Sequence, residues 1–356
     1  MSRTLVIGLM SGTSLDGIDL AFCDFNKSDT SWSFNLLKAE TIPYSPIWKD
    51  RLLNLIHTDG LNYVSTHVAL GRMYGTLINE FIAKHNLNPE LIASHGHTIF
   101  HQPEKGFTAQ IGDGSQIAAL TGIDTVCDFR SKDLALGGQG APLVPAGEQL
   151  LFRDYRFCLN LGGIANITFN DTALPVAFDV CIANMALNEI AARSGKAYDE
   201  NGNIASAGKI IPELLIQLNE IEYHKKPFPK SIGREWYEKN ILTLLNGNIY
   251  SDADLLLTLC EHIGQQIGNA LRLFPFTPKD KLLVTGGGAF NKTLINCIHN
   301  HIPIELVIPN DGIISYKEAI VFAFLGLLNI RGENNVLAPV TGSSRSHTGG
   351  ALYKGN

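Results

Sequence analysis

Three glycine-punctuated turns in this chain of 356 residues hold the residue types that phosphate chemistry requires. The first is Gly8-Leu-Met-Ser-Gly-Thr-Ser-Leu-Asp-Gly-Ile-Asp19, in which Gly12, Thr13, Ser14, Leu15, Asp16, Gly17, Ile18 and Asp19 form a polar return. Backbone N–H groups beside Gly12 and Gly17 can approach an anion closely, while Asp16 or Asp19 could hold Mg2+ directly or through water. The Gly-Lys-Ser/Thr ending of a Walker loop is missing, and a structural hairpin with a polar tip explains the same residues. The second turn is Asn160-Leu-Gly-Gly-Ile-Ala-Asn166, centred on Gly162 and Gly163. The third is Leu282 to Asn291, an apolar run ending in Gly286, Gly287 and Gly288 before a helical pattern from Lys292. A strand, a glycine turn and a helix start together let a nucleotide lie against backbone. Two such loops from opposite lobes would clamp the phosphates of one nucleotide.

Acid–base and recognition chemistry falls to fewer residues. Asp179 stands alone in Ala177-Phe-Asp-Val-Cys-Ile-Ala-Asn184. In so apolar a setting desolvation raises a carboxyl pKa, which suits a base, although a helix cap for 184–193 fits the same residue. Arg130, in Asp128-Phe-Arg-Ser-Lys-Asp133, carries a planar fork matched to a carboxylate or to sugar hydroxyls, or equally to an internal Asp–Arg bridge. His95, His97 and His101 in Ser94-His-Gly-His-Thr-Ile-Phe-His101 invite a zinc reading. No cysteine or carboxylate cluster lies beside them, so a hydrogen-bonded strand end lining a pocket is the better expectation.

Positioning such groups requires particular elements. Thr4 to Met10 is a continuous apolar run, and Ile18, Leu20 and Phe22 alternate with their neighbours, so a buried strand, a turn and a second strand are expected. Leu70, Tyr74, Leu77 and Phe81 recur at helical spacing and predict an amphipathic helix from about 63 to 84. Ser251 with Asp254 forms a capping box for a helix that carries Leu256, Cys260, Ile263, Ile267 and Leu271 inward and ends near Pro275. The hairpin pattern recurs at Phe157–Phe169, so a duplicated fold is expected, although two unrelated hairpins would read alike. Gly137 to Pro142 is the expected hinge.

Composition bounds the partners. The length suits two domains, and 45% hydrophobic with 17% charged residues describes a globular chain. A net charge of -6 offers no basic field for nucleic acid or an anionic membrane, so neither partner is expected. Six scattered cysteines without a C-x-x-C pair suit a reducing compartment, and no signal peptide is read at the N-terminus. A cytoplasmic location is expected.

Taken in order, GLMSGTSLDGID (8–19), SHGHT (94–98), QIGDG (110–114), DFRSKDLALGGQGAPLVP (128–145), NLGGIAN (160–166), Phe178-Asp179 with Asn184, and VTGGGAFN (284–291) resemble the anhydro-N-acetylmuramic acid kinase family over nearly the whole chain. The resemblance implies an α/β protein with a two-domain actin-like, ribonuclease H-like sugar kinase fold and a central cleft between the lobes. The lobes would be 1–145 and 146–356, with a C-terminal helix near 316–356 packing back on the first, and the protein a homodimer. It implies an ATP- and Mg2+-dependent kinase that opens the 1,6-anhydro ring of anhydro-N-acetylmuramic acid with water and phosphorylates O6, in peptidoglycan recycling. Gly12 to Asp19 would be the first phosphate loop and Gly162 and Gly163 the second, with Gly286 to Gly288 facing adenosine. Asp179 would be the base, Asp19 and Glu318 would serve Mg2+, and His95, Thr98, Arg130, Asp133 and Asn184 would line the sugar site. The family's usual Thr-Gly-Pro-Gly-Asn after the base is Val180-Cys-Ile-Ala-Asn184 here, Asn188 replaces a common Asp, and Gly114 a common Pro. The altered loop keeps two other readings open: a kinase for another anhydro sugar such as levoglucosan, or a sugar or nucleotide sensor without turnover.

Overall fold

The computed structural model describes residues 2–29, 31–171, 175–246 and 250–355. In chain order its strands are β1 (Ser2–Ser11), β2 (Ile18–Lys27), β3 (Trp32–Ile42), β4 (Leu91–Gln102), β5 (Phe107–Ile111) and β6 (Thr125–Cys127). There follow β7 (Phe157–Leu161), β8 (Ile164–Phe169), β9 (Val176–Ile182), β10 (Lys281–Thr285), β11 (Glu305–Val307) and β12 (Ala351–Tyr353). Two compact units share them: one takes the chain to Phe152 and again from Tyr316 onward, the other Arg153–Ser315. The Gly137–Pro142 stretch therefore lies inside the first unit and is not a hinge between the two.

Within the first unit the sheet order is β12-β6-β4-β1-β2-β3, with β5 added to β4. The first three strands form an antiparallel meander, and β4 and β6 continue the sheet in parallel from β1. The second unit repeats this arrangement with β9, β8 and β7 antiparallel and β10 and β11 parallel. One topology used twice is the duplication that the two glycine hairpins suggest, and it is the ribonuclease H-like order of an actin-like protein.

Helices cover both faces of the first sheet. Gly60–His85 starts on the Asp59 side chain, which accepts from Asn62 N at 2.8 Å, and buries Leu70, Tyr74, Ile78 and Phe81, with Leu77 at its margin. Asp311–Ile330 is long and apolar enough to cross a membrane, yet its part within the first unit, from Tyr316 on, buries Ala319 to Leu325, Leu327 and Leu328 in the core. It lies directly on β1, where a Cβ on Gly8 would collide with the carbonyl oxygen of Ala319, so only glycine allows the contact. In the second unit Asp252–Leu271 is capped by Ser251, whose Oγ accepts from Asp254 N at 3.1 Å. Its predicted inner face is buried in full: Leu256, Cys260, Ile263, Ile267 and Leu271.

Candidate functional site

The expected site residues divide between the units. In the first, residues 12–17 close the β1–β2 hairpin, whose last pair is Ser11 with Ile18. Leu15 N donates to Gly12 O at 3.2 Å, and Leu15 takes a positive φ of 58° while its side chain is buried, which anchors the loop. Thr13, Ser14 and Asp16 are left exposed at the tip. Beneath the loop runs a buried polar chain: Ser11 Oγ lies 2.7 Å from Tyr44 OH and 3.0 Å from His97 Nδ1, and Tyr44 OH lies 2.9 Å from Tyr74 OH. A rigid base carrying an exposed hydroxyl-rich tip suits an anion.

Asp19 is partly buried on β2, and its Oδ1 accepts a 2.6 Å hydrogen bond from Thr41 Oγ1. Burial raises its pKa, against the Thr41 bond, and the Asp16 charge adds to the rise. Glu318 is raised in the same direction, first by burial, with Lys317 and Arg130 opposing and Asp19 and Glu148 reinforcing. Asp19 and Glu318 thus share one electrostatic neighbourhood, and a cation between them would relieve both. Among the described residues no cluster of three or more potential ligands exists. Mg2+ needs no such cage, since it commonly takes one or two carboxylates and fills its octahedron with water and phosphate oxygens. The donor set therefore fits Mg2+ delivered with a nucleotide.

Arg130 makes three side-chain hydrogen bonds. Its Nη1 donates to Gly140 O at 2.6 Å, and Nη2 and Nε reach His95 Nε2 at 2.8 and 3.2 Å. His95 donates from Nδ1 to Gly96 O at 3.1 Å, which leaves Nε2 as the acceptor and the ring neutral. Burial, then the Arg130 charge, holds the His95 pKa well below the usual range. No carboxylate lies within ion-pairing distance of Arg130 among the described residues, and burial lowers its pKa only to about 10, so it keeps its charge. Thr98 accepts from Gln110 Nε2 at 3.2 Å nearby on β4.

Asp133 is tied into the fold on both oxygens. It is fully buried, Oδ2 accepts from Gly140 N at 2.7 Å, and Oδ1 accepts from Thr341 Oγ1 at 2.8 Å. A carboxylate bonded to the chain in this way holds the Gly137–Gly140 loop. Together with Arg130 it pins both polar groups of the Gly140 backbone, the physical reason that this glycine-rich stretch is no hinge.

In the second unit the two glycine turns meet. Gly162 and Gly163 accept through their carbonyls from Ala183, Asn184 and Met185 N at 2.9 to 3.1 Å, which seats the start of helix Asn184–Arg193 on the β7–β8 turn. Gly286 follows β10 with φ 81°, and a Cβ there would meet Asn160 Oδ1 at 2.7 Å, so glycine is required on both counts. Asn184 Nδ2 donates to Leu161 O at 2.8 Å. Beside it opens a cavity of about 410 Å³ lined by Asn184, Asn188, Tyr198, Gly287, Gly288 and Phe290 among others. That size falls within the ~300–1,000 Å³ of small-molecule sites. Asn184, expected at the sugar, is on the wall of this glycine-lined cavity. Tyr198 and Phe290 were not singled out by sequence reasoning; only Phe290 lay inside a recognised motif.

Asp179 is in the same unit, on β9, partly buried. Its Oδ2 accepts from Ile232 N at 3.0 Å, and Oδ1 has no hydrogen bond among the described residues. Burial raises its pKa against the Ile232 bond. The apolar loop expected after it is strand: Val180, Cys181 and Ile182 continue β9 and are buried. A run of apolar, largely β-branched residues prefers a pleated, buried surface to a turn.

A ribonuclease H-like sheet used twice, with glycine turns at its strand ends, is the frame of an actin-like kinase. Sequence comparison states which one: a model of the anhydro-N-acetylmuramic acid kinase family matches residues 4–355, and the chain belongs to that family. The anhydro-N-acetylmuramic acid kinase of Actinobacillus pleuropneumoniae serotype 7 is 36% identical over 374 residues, spanning 99% of this chain and 100% of its own. That of Aliivibrio fischeri is 38% identical over 367 residues, spanning 98% and 99%. That of Shewanella sediminis is 37% identical over 375 residues, spanning 99% of each.

Proposed function

We propose that the protein opens the 1,6-anhydro ring of anhydro-N-acetylmuramic acid with water and transfers the γ-phosphoryl group of ATP to O6, giving N-acetylmuramic acid 6-phosphate and ADP. The observation that carries the mechanism is the Asp179 carboxylate, clamped through Oδ2 and presenting Oδ1. Oδ1 takes a proton from water as its oxygen bonds to C1; the C1–O6 bond breaks, and O6 keeps that electron pair and attacks the γ-phosphorus. A pKa raised by burial makes Asp179 a stronger base than a solvated carboxylate.

Phosphoryl transfer needs alignment and charge neutralisation more than covalent participation. The Gly12–Gly17 hairpin of the first unit is one candidate phosphate loop and the Gly162–Gly163 turn of the second another, and within the second unit the Asn184–Gly288 cavity is the candidate for the nucleoside. Mg2+, held near Asp19 and Glu318, would supply positive charge to the phosphate oxygens. Arg130 supports this particular sugar over the uncharged levoglucosan. A buried guanidinium whose hydrogen bonds among the described residues all go to neutral acceptors favours a ligand with a carboxylate, as the lactyl group provides. Six free cysteines, five of them buried, support a reducing cytoplasm, and a homodimer is the assembly that the family resemblance implies.

A coupled ADP-release assay with Mg-ATP and either sugar tests the reading. Asp179→Asn should lower turnover by about 10² to 10⁴-fold, the usual loss on removing a general base, with ATP binding retained. Near-normal turnover in that variant sinks the base assignment, and sugar-independent ADP release would sink the kinase reading.

A further inference from the structure

Asp179 owes its position to a segment some fifty residues further along the chain. β9 is the edge strand of the second sheet, paired only with β8 among the described strands. Its register slips beside the acid: Asn166 pairs with Asp179 and Ala165 with Cys181, so Val180 is an extra residue that re-aims its neighbours. An edge strand leaves backbone groups unpaired, and here residues 223–232 meet both of those of Asp179. Asp179 N donates to Lys230 O at 3.1 Å, and Tyr223 OH donates to Asp179 O at 2.7 Å. With the Ile232 N bond to Oδ2, every hydrogen bond of Asp179 to this covering segment converges on the backbone and one carboxylate oxygen of the same residue.

The segment is itself fastened by Lys230. Its Nζ donates to Tyr223 O at 3.2 Å and His224 O at 3.3 Å, and stands 4.8 Å from the Tyr223 ring centroid and 5.7 Å from that of Phe178. Tyr223 is buried, its ring packed 5.1 Å from Trp236. A side chain so enclosed can give its hydroxyl only to the Asp179 carbonyl, and Lys230 keeps both ends of the segment together.

We propose that Tyr223 and Lys230 are positioning residues for the ring-opening step, forming a cradle that holds Asp179 with Oδ2 occupied and Oδ1 turned to the substrate water. This rests on Asp179 being the base. Neither side chain need touch the sugar or the nucleotide; both act through the orientation of one carboxylate. A displacement of about 1 Å at a reacting group can cost on the order of 10²-fold in rate.

The test compares steady-state kinetics and melting temperatures of full-length wild type, Tyr223→Phe, Lys230→Met, Asp179→Asn and the Tyr223→Phe/Asp179→Asn double variant. Tyr223→Phe should lose about 10- to 10²-fold in kcat with KM for Mg-ATP and for the anhydro sugar within about twofold. Lys230→Met, which keeps the hydroxyl, should lose about tenfold in the same pattern. The double variant should turn over no more slowly than Asp179→Asn alone, because a residue acting through Asp179 has nothing left to orient. A Tyr223→Phe kcat within about twofold of wild type, or losses that multiply in the double variant, overturns the cradle. Should Tyr223→Phe fail to fold, the Lys230→Met split between kcat and KM decides in its place. An inactive Asp179→Asn beside a normal Tyr223→Phe refutes the cradle alone, whereas a normal Asp179→Asn refutes the base and the cradle with it.

Discussion

Acid should weaken the first unit through His97, and the size of the effect follows from its surroundings. The ring is 4% exposed, lies 3.0 Å from Ser11 Oγ through Nδ1, and sits beneath the Gly12–Gly17 hairpin. Burial lowers its pKa from 6.5 to about 4. A group whose folded pKa is depressed binds fewer protons folded than unfolded, so its stabilisation is present above the unfolded pKa of 6.5 and is lost as pH falls toward 4. At pH 5 the unfolded ring is almost wholly protonated and the folded ring almost wholly neutral, a difference of about 2 kcal/mol. For a domain of this size that is a fall of roughly 4 to 8 °C in melting temperature. Asp19 and Glu318 act in the opposite sense, since raised carboxyl pKa values are relieved on acidification. The informative comparison is therefore wild type against His97→Asn, which keeps a polar group toward Ser11 but cannot titrate. Melting followed by calorimetry at pH 7 and pH 5 should show the variant losing about 2 kcal/mol less than wild type. Equal losses in the two proteins would refute the assignment of a neutral, desolvated imidazole at this position.

Two more outcomes bear on the nucleotide side. Asp19→Asn and Glu318→Gln should each raise the Mg2+ concentration for half-maximal activity, by about tenfold if each supplies roughly one charge interaction of 1.4 kcal/mol. Because each removes a partly buried carboxylate held at a raised pKa, neither should lower the melting temperature. Gly287→Val fills the cavity at a point where a Cβ meets nothing nearer than Asn184 Nδ2 at 3.8 Å. Folding should survive while nucleotide affinity, read by calorimetric titration, falls by about tenfold or more; unchanged affinity would place the nucleoside elsewhere.

What the sequence disclosed and what it hid differ in the range of the interactions concerned. Strands and helices were legible where periodicity is local, as in the five inward positions of Asp252–Leu271 and the cap on Ser251. The glycine turns were legible because they punctuate apolar runs, and their repetition pointed to a sheet topology that both units share. Roles set by distant partners were not. Asp133 looks like a ligand beside Arg130, yet Thr341, which takes its Oδ1, is 208 positions away. The Gly137–Pro142 stretch has a hinge's composition but is held at Gly140 by Arg130 and Asp133. Val180 to Ala183 suggested a loop because a family pattern has one there; an apolar run beside β8 becomes strand. The same logic governs Asp179. Its chemistry could be guessed from a lone carboxylate among apolar residues, but its aim depends on Tyr223, Lys230 and Ile232, 44 to 53 positions further on. An arrangement built in this way tolerates change in the residues adjoining Asp179 so long as the covering segment stays, which reconciles an unusual Val-Cys-Ile-Ala sequence with a carboxylate still clamped by Ile232.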